Sequence, residues 1–70
     1  MQTSIKYSNG KRYQLAFDDY DGMLYEWGRP RGPVEYQPLC KAMPDQRTLN
    51  GAWQDYLNNK CLVHCDQGHA

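Results

Sequence analysis

The stretch Leu49 to Leu57, LNGAWQDYL, constrains this chain more than any other. Leu49, Ala52, Trp53, Tyr56 and Leu57 recur at i, i+3, i+4, i+7 and i+8, the spacing that gathers side chains on one stripe of a helix. A single helix cannot bury its stripe against itself, so it needs a sheet to lie on. The aromatic-rich first third of the chain is where that sheet is expected.

Thr3 to Tyr7 and Lys11 to Phe17 both alternate, and the Asn9-Gly10 pair between them signals a hairpin. Two registers compete. A two-residue loop at Asn9-Gly10 sets Ile5 against Gln14 and Tyr7 against Arg12, apolar against polar. A three-residue loop, Ser8 to Gly10 with Gly10 left-handed in a bulge, sets Ile5 against Tyr13 and Thr3 against Leu15. Matching apolar with apolar makes the second register the expected one. Asp18 to Gly22 (DDYDG) reads as a turn, because Asp and Gly suit its backbone angles. A third strand, Met23 to Trp27, then follows. With that five-residue loop Phe17 meets Met23, Leu15 meets Tyr25 and Tyr13 meets Trp27. All three strands thereby present their large residues to the helix, and Tyr20 stays outside.

All four prolines fall between Gly28 and Pro44. Within this connection Val34 to Gln37 reads as a short edge strand and Leu39 to Met43 as one helical turn. The helix is expected to start near Pro44 or Asp45, residues suited to a first turn. A start near Gly51 is the alternative, since an interior Gly costs about 1 kcal/mol relative to Ala. Asn58 and Asn59 are left-handed terminators. Cys61 to Cys65 reads as a fourth strand and Asp66 to Ala70 as a frayed tail. The expected architecture is α+β: one small domain over residues 1–70, with three to four antiparallel strands in the order β-β-β-α-β packed on one amphipathic helix.

Eight Lys and Arg balance eight Asp and Glu, so no net field draws the chain to nucleic acid or to an anionic membrane. No apolar run is long enough to span a bilayer, and MQTSIKYSNG lacks the hydrophobic middle of a signal peptide. Three cysteines, an odd number, fit a reducing compartment better than a disulfide framework. The expected location is cytoplasmic.

Three constellations invite chemistry. Cys40, Cys61, Cys65, His64 and His69 are ligand types that zinc favours. Their spacing matches no pair of knuckles, however, and Cys61 and Cys65 sit about 13 Å apart along a strand at roughly 3.3 Å per residue. No metal site or cofactor is expected. Val63 to Gly68 (VHCDQG) resembles the opening of the loop of cysteine-dependent phosphatases. The likeness covers six residues, and the Arg that closes such a loop, six positions after the Cys, is not among these seventy. With no Ser, His and Asp trio, phosphate loop or paired carboxylates either, the chain is not expected to be an enzyme.

The third is Trp27 to Tyr36, WGRPRGPVEY. Arg29 and Arg31 fork carboxylate or phosphate, Trp27 and Tyr36 bury area at small entropic cost, and Pro30 and Pro33 stiffen the segment. With Tyr20 on the acidic turn, these form the expected partner-binding set. The expected function is a non-enzymatic protein-binding module. Such a module inhibits or regulates a larger protein or ribonucleoprotein, as accessory proteins of phages and mobile elements do against host defences. The alternatives are a small nucleic-acid-binding domain, with Lys6, Lys11, Arg12, Arg29 and Arg31 beside Tyr7 or Trp27, and a zinc-stabilised domain.

Overall fold

Asn9 and Gly10 take φ values of 54° and 78°, the left-handed pair that a two-residue type I′ hairpin needs. This hairpin opens the computed structural model, which describes residues 1–28 and 35–65. The loop joins β1 (Gln2–Ser8) to β2 (Lys11–Asp18). Ile5 lies against Gln14 and Tyr7 against Arg12, so the expected three-residue loop is corrected to two. The reason is twist: primed turns match the right-handed twist of the flanking strands, which outweighs matching apolar with apolar across the ladder.

The second connection is also one residue tighter than expected. The Gly22 amide donates to the Asp18 carbonyl at 2.8 Å, with Gly22 at φ 74°. The Asp18 and Asp21 carboxylates accept from the backbone N–H of Tyr20 and Met23, both at 3.0 Å. Strand β3 (Met23–Gly28) therefore sets Asp18 against Met23, Phe17 against Leu24, Ala16 against Tyr25 and Leu15 against Glu26. Because side chains alternate across a strand, Leu24 and Glu26 share a side with Leu15, while Tyr25 and Trp27 turn to the other. The expectation that Leu15 and Tyr25 share one face is corrected, and so is the pairing of Tyr13 with Trp27.

Strand β4 (Glu35–Lys41) replaces both the expected short strand and the helical turn at Leu39 to Met43; Val34 lies outside the described residues. A bulge opposite Leu24 and Tyr25 takes up Leu39 as an extra residue, so Leu39 and Cys40 both enter the core. Pro38 sits at this bulge, a position where a strand accepts proline, and the last strand, β5 (Val63–His64), pairs with Cys40 and Lys41. Among the described residues the sheet is antiparallel throughout, in the order β1-β2-β3-β4-β5, with five strands where three to four were expected. The expected fourth strand shrinks to Val63–His64. The expected tail, Asp66 to Ala70, lies outside the described residues.

Helix α1 (Leu49–Leu57) begins at neither expected start. Thr48 caps it: its backbone is extended, with φ −130° and ψ 154°, and its Oγ1 accepts from the Gly51 amide at 3.1 Å. Pro44 and Asp45 form a turn before it instead, closed by the Gln46 amide on the Met43 carbonyl at 3.0 Å. A Cβ at Gly51 would displace the end of the Gln46 side chain. From β1, the Gln2 Oε1 accepts from the Leu49 amide at 2.8 Å and its Nε2 donates to the Arg47 carbonyl at 3.2 Å, fastening the helix start to the sheet. Asn59, at φ 60°, is the left-handed terminator, whereas Asn58, the C-cap, has φ −91° and is corrected.

The stripe lands on the sheet with Leu49, Ala52 and Trp53 buried against Leu15, Phe17, Leu24, Leu39, Cys40 and Ala42. Trp53 lies between Tyr13, tilted at 59° with centroids 5.1 Å apart, and Tyr56, stacked at 5.6 Å. Leu57 is 44% exposed, correcting its place on the stripe. At about 100° per residue it lies about 80° round from Leu49, at the margin of the covered face. Asp55 is buried instead, its Oδ1 accepting from Gln46 Nε2 at 3.4 Å and its Oδ2 without a partner among the described residues.

Cys40 and Cys61 form a disulfide with Cα atoms 5.8 Å apart, leaving Cys65 as the free thiol. The reading of unpaired cysteines is corrected. An odd count excludes complete pairing only, and the chain leaving α1 returns Cys61 to the end of β4.

A candidate partner-binding face

One side of the sheet carries the helix. The other carries no element among the described residues, and strand alternation decides what it displays. From the registers, β1 contributes Thr3, Ile5 and Tyr7, β2 contributes Arg12, Gln14 and Ala16, β3 contributes Met23, Tyr25 and Trp27, and β4 contributes Tyr36 and Pro38. Trp27 and Tyr36 are directly opposed across β3 and β4. Their rings stack at 6.2 Å with 19° between planes, and Tyr25 meets the same Tyr36 edge-on at 6.0 Å. Trp27 is 37% exposed, Ile5 46% and Tyr36 50%. A shallow depression runs from Ile5, Thr3 and Gln14 to Trp27. Three rings locked against one another have little rotamer freedom left to lose, which suits them to an interface core.

The structure brings Trp27 and Tyr36 together. Arg29 and Arg31 lie outside the described residues. Tyr20 does not join the patch: it is 95% exposed on the loop beyond Met23, about 13 Å along β3 from Trp27 at roughly 3.3 Å per residue. It borders a separate recess with Asp19, Lys41, Arg47 and Leu62. Sequence reasoning missed Tyr25 and Ile5 as members of the open face. The signal was present in the alternation of β3, where Leu24 and Glu26 on one side imply Tyr25 and Trp27 on the other.

The cations named for a nucleic-acid surface are divided between the two faces. Lys11 bridges Glu26 at 3.3 Å and lies over the Tyr13 ring at 4.5 Å, on the helix side. Lys6, opposite Tyr13, shares that side, whereas Arg12 shares the open side with Trp27. Of the zinc candidates, Cys40 and Cys61 are bonded to each other and His64 stacks on Tyr56 at 5.6 Å. Among the described residues no three His, Cys, Asp or Glu side chains are grouped to hold an ion; His69 lies outside them.

The Tyr25 hydroxyl is harder to ionise than an ordinary tyrosine. Burial is the main cause, followed by the carboxylates of Asp21 and Asp18 and by Cys65. At neutral pH this hydroxyl is neutral and can donate a hydrogen bond.

Comparison with protein-family models, with curated proteins and with solved structures gives no match. No helix among the described residues is long and apolar enough to cross a membrane.

Proposed function

We propose that this chain is a non-enzymatic protein-binding module that inhibits or regulates a larger protein through the helix-free face of its sheet. The reading includes an accessory role in a phage or mobile element, directed at a host defence or regulatory complex. The observation that carries the reading is the stacked Trp27–Tyr36 pair, braced by Tyr25 and left exposed on the side the helix does not cover. Scattered apolar residues on a surface are ordinary. Interlocked aromatic rings on one face are the composition of interface hot spots, which favour Trp and Tyr.

Nucleic acid fits the same patch less well. Stacking platforms of single-strand binders are flanked by cations that follow the phosphates, whereas Lys6 and Lys11 sit on the opposite side from Trp27. The location follows the redox state of the cysteine pair: a cytoplasmic chain holds Cys40 and Cys61 as thiols, an oxidising compartment as the bond.

Capture from a host lysate with the tagged chain, read by mass spectrometry, names the partner, and titration with the Trp27→Ala/Tyr36→Ala variant then tests the face. Losing two hot-spot residues is expected to weaken binding by at least about thirty-fold, roughly 2 kcal/mol or more, with the fold unchanged. Unaltered affinity refutes the reading. A steep loss of affinity with salt identifies phosphate contacts and favours nucleic acid instead.

A further inference from the structure

The two edges of the sheet differ in how they end. On one side β5 has two residues, flanked by the Leu62 and Cys65 amides already bonded to the Lys41 and Leu39 carbonyls at 2.8 and 3.0 Å. On the other, β1 runs for seven residues, Gln2 to Ser8, with no proline and no irregularity in its register against β2. Long edges of this kind are normally blunted by a charge, a proline, a bulge or a covering element. The one charge on β1, Lys6, pairs with Tyr13 and belongs to the helix side.

Hairpin geometry settles which backbone groups are free. Residues flanking a two-residue loop exchange both backbone bonds, and pairs with and without such bonds alternate from there. Ser8, Lys6, Ser4 and Gln2 therefore direct their N–H and C=O groups to β2. Thr3, Ile5 and Tyr7 direct theirs outward, and their side chains stand on the open face.

We propose that β1 pairs antiparallel with β1 of a second copy of this chain, across a two-fold axis through Ile5. Ile5 then exchanges both backbone bonds with its own counterpart, and Thr3 does so with Tyr7 of the second copy. Ser4 lies opposite Lys6, Gln2 opposite Ser8, and all seven residues are paired. The neighbouring register with outward groups matched, Ile5 against Tyr7, places Lys6 against Lys6 and repels. The opposite slip, Ile5 against Thr3, leaves Tyr7 and Ser8 without a partner in β1. The strand is thus self-complementary in one register.

The result is a continuous ten-stranded sheet with both open faces on the same side. Its two Trp27 residues sit about 24 Å apart, five strand spacings of roughly 4.8 Å. This inference goes beyond the binding reading without depending on it, since the Trp27–Tyr36 pair lies outside the seam. A monomeric chain that still binds its partner refutes the pairing alone.

Sedimentation equilibrium of the oxidised chain from about 10 to about 500 µM tests it. An edge contact of this size is expected to give a dissociation constant in the tens of micromolar. Ile5→Lys faces two ammonium groups across the axis on backbones about 5.5 Å apart, and is expected to weaken the dimer at least tenfold with the circular dichroism spectrum unchanged. Val63→Lys, on the β5 edge, is expected to leave it intact. In the wild-type chain, amide exchange at Thr3, Ile5 and Tyr7 is expected to slow as concentration rises, which needs no variant to fold. A chain monomeric throughout, an undiminished Ile5→Lys dimer, a dimer abolished by Val63→Lys, or amide exchange at β1 independent of concentration overturns the proposal.

Discussion

Reducing the Cys40–Cys61 disulfide perturbs this chain without changing a residue, and its magnitude follows from the length of the loop it closes. The bond joins the end of β4 to the segment after α1 over a separation of 21 residues, so the helix lies entirely within the closed loop. In the chain-entropy treatment, a loop of that size removes about 11 cal/mol/K from the unfolded ensemble, about 3 kcal/mol at 25 °C. A seventy-residue domain holds roughly 4 to 10 kcal/mol in all. The bond therefore decides between a secure fold and a marginal one. Urea unfolding followed by tryptophan fluorescence, with and without reductant in a Cys65→Ser background to prevent exchange, measures the difference. With a urea slope of about 1 kcal/mol/M for so small a chain, the midpoint is expected to fall by about 3 M on reduction. Coincident curves refute the reasoning and return the cysteines to the unpaired reading.

Trp53→Ala removes the largest side chain of the helix stripe from between Tyr13 and Tyr56. It is expected to cost about 3 to 5 kcal/mol, enough to unfold the reduced chain, whereas Trp53→Phe keeps the fold; an unshifted urea midpoint for the alanine variant removes Trp53 from the core. Tyr25 makes the fold sensitive to alkali. Its folded-state pKa is raised, by burial first and then by Asp21, Asp18 and Cys65, so its contribution is complete below the ordinary tyrosine value of about 10 and is lost as pH rises through the folded value. Phenolate absorbance is expected to show a tyrosine ionising above the ordinary value, and Tyr25→Phe to remove that step; superimposable titrations refute the assignment.

The helix and the first hairpin were legible because each is written in local chemistry. The stripe through Leu49, Ala52 and Trp53 needs only helical periodicity, and Asn9-Gly10 needs only backbone angles that few other residues adopt. The helix start was less legible, since Pro44 and Asp45 are good first-turn residues that close a turn here, while Thr48 caps. The disulfide could not be read from three cysteines, because pairing depends on which ends the fold brings within 5.8 Å. Of the binding residues, Trp27 and Tyr36 stood out by composition. Tyr25 and Ile5 did not, because their exposure depends on register and not on residue type.

Register is where hydrophobic matching misleads in this chain, and the reason lies in the dimensions of the helix. Nine helical residues span about 13 Å at 1.5 Å each, whereas the six residues of β3 span about 20 Å. The helix can cover only part of one side of the sheet. Beyond its reach that side carries Glu26, Gln37 and Lys11, polar groups that tolerate water and, for Lys11 and Glu26, pair with each other. A register that turned Tyr25 and Trp27 toward the helix would seat large rings over ground nine residues cannot roof. The tight turns at Asn9-Gly10 and Asp19–Gly22 avoid this by sending those rings to the other face. The core closes without them on Leu15, Phe17, Leu24, Leu39 and Trp53. Trp27, Tyr25 and Tyr36 are therefore not needed to close that core and lie on the side that no element among the described residues covers, which is the physical ground for proposing that face as a site of recognition.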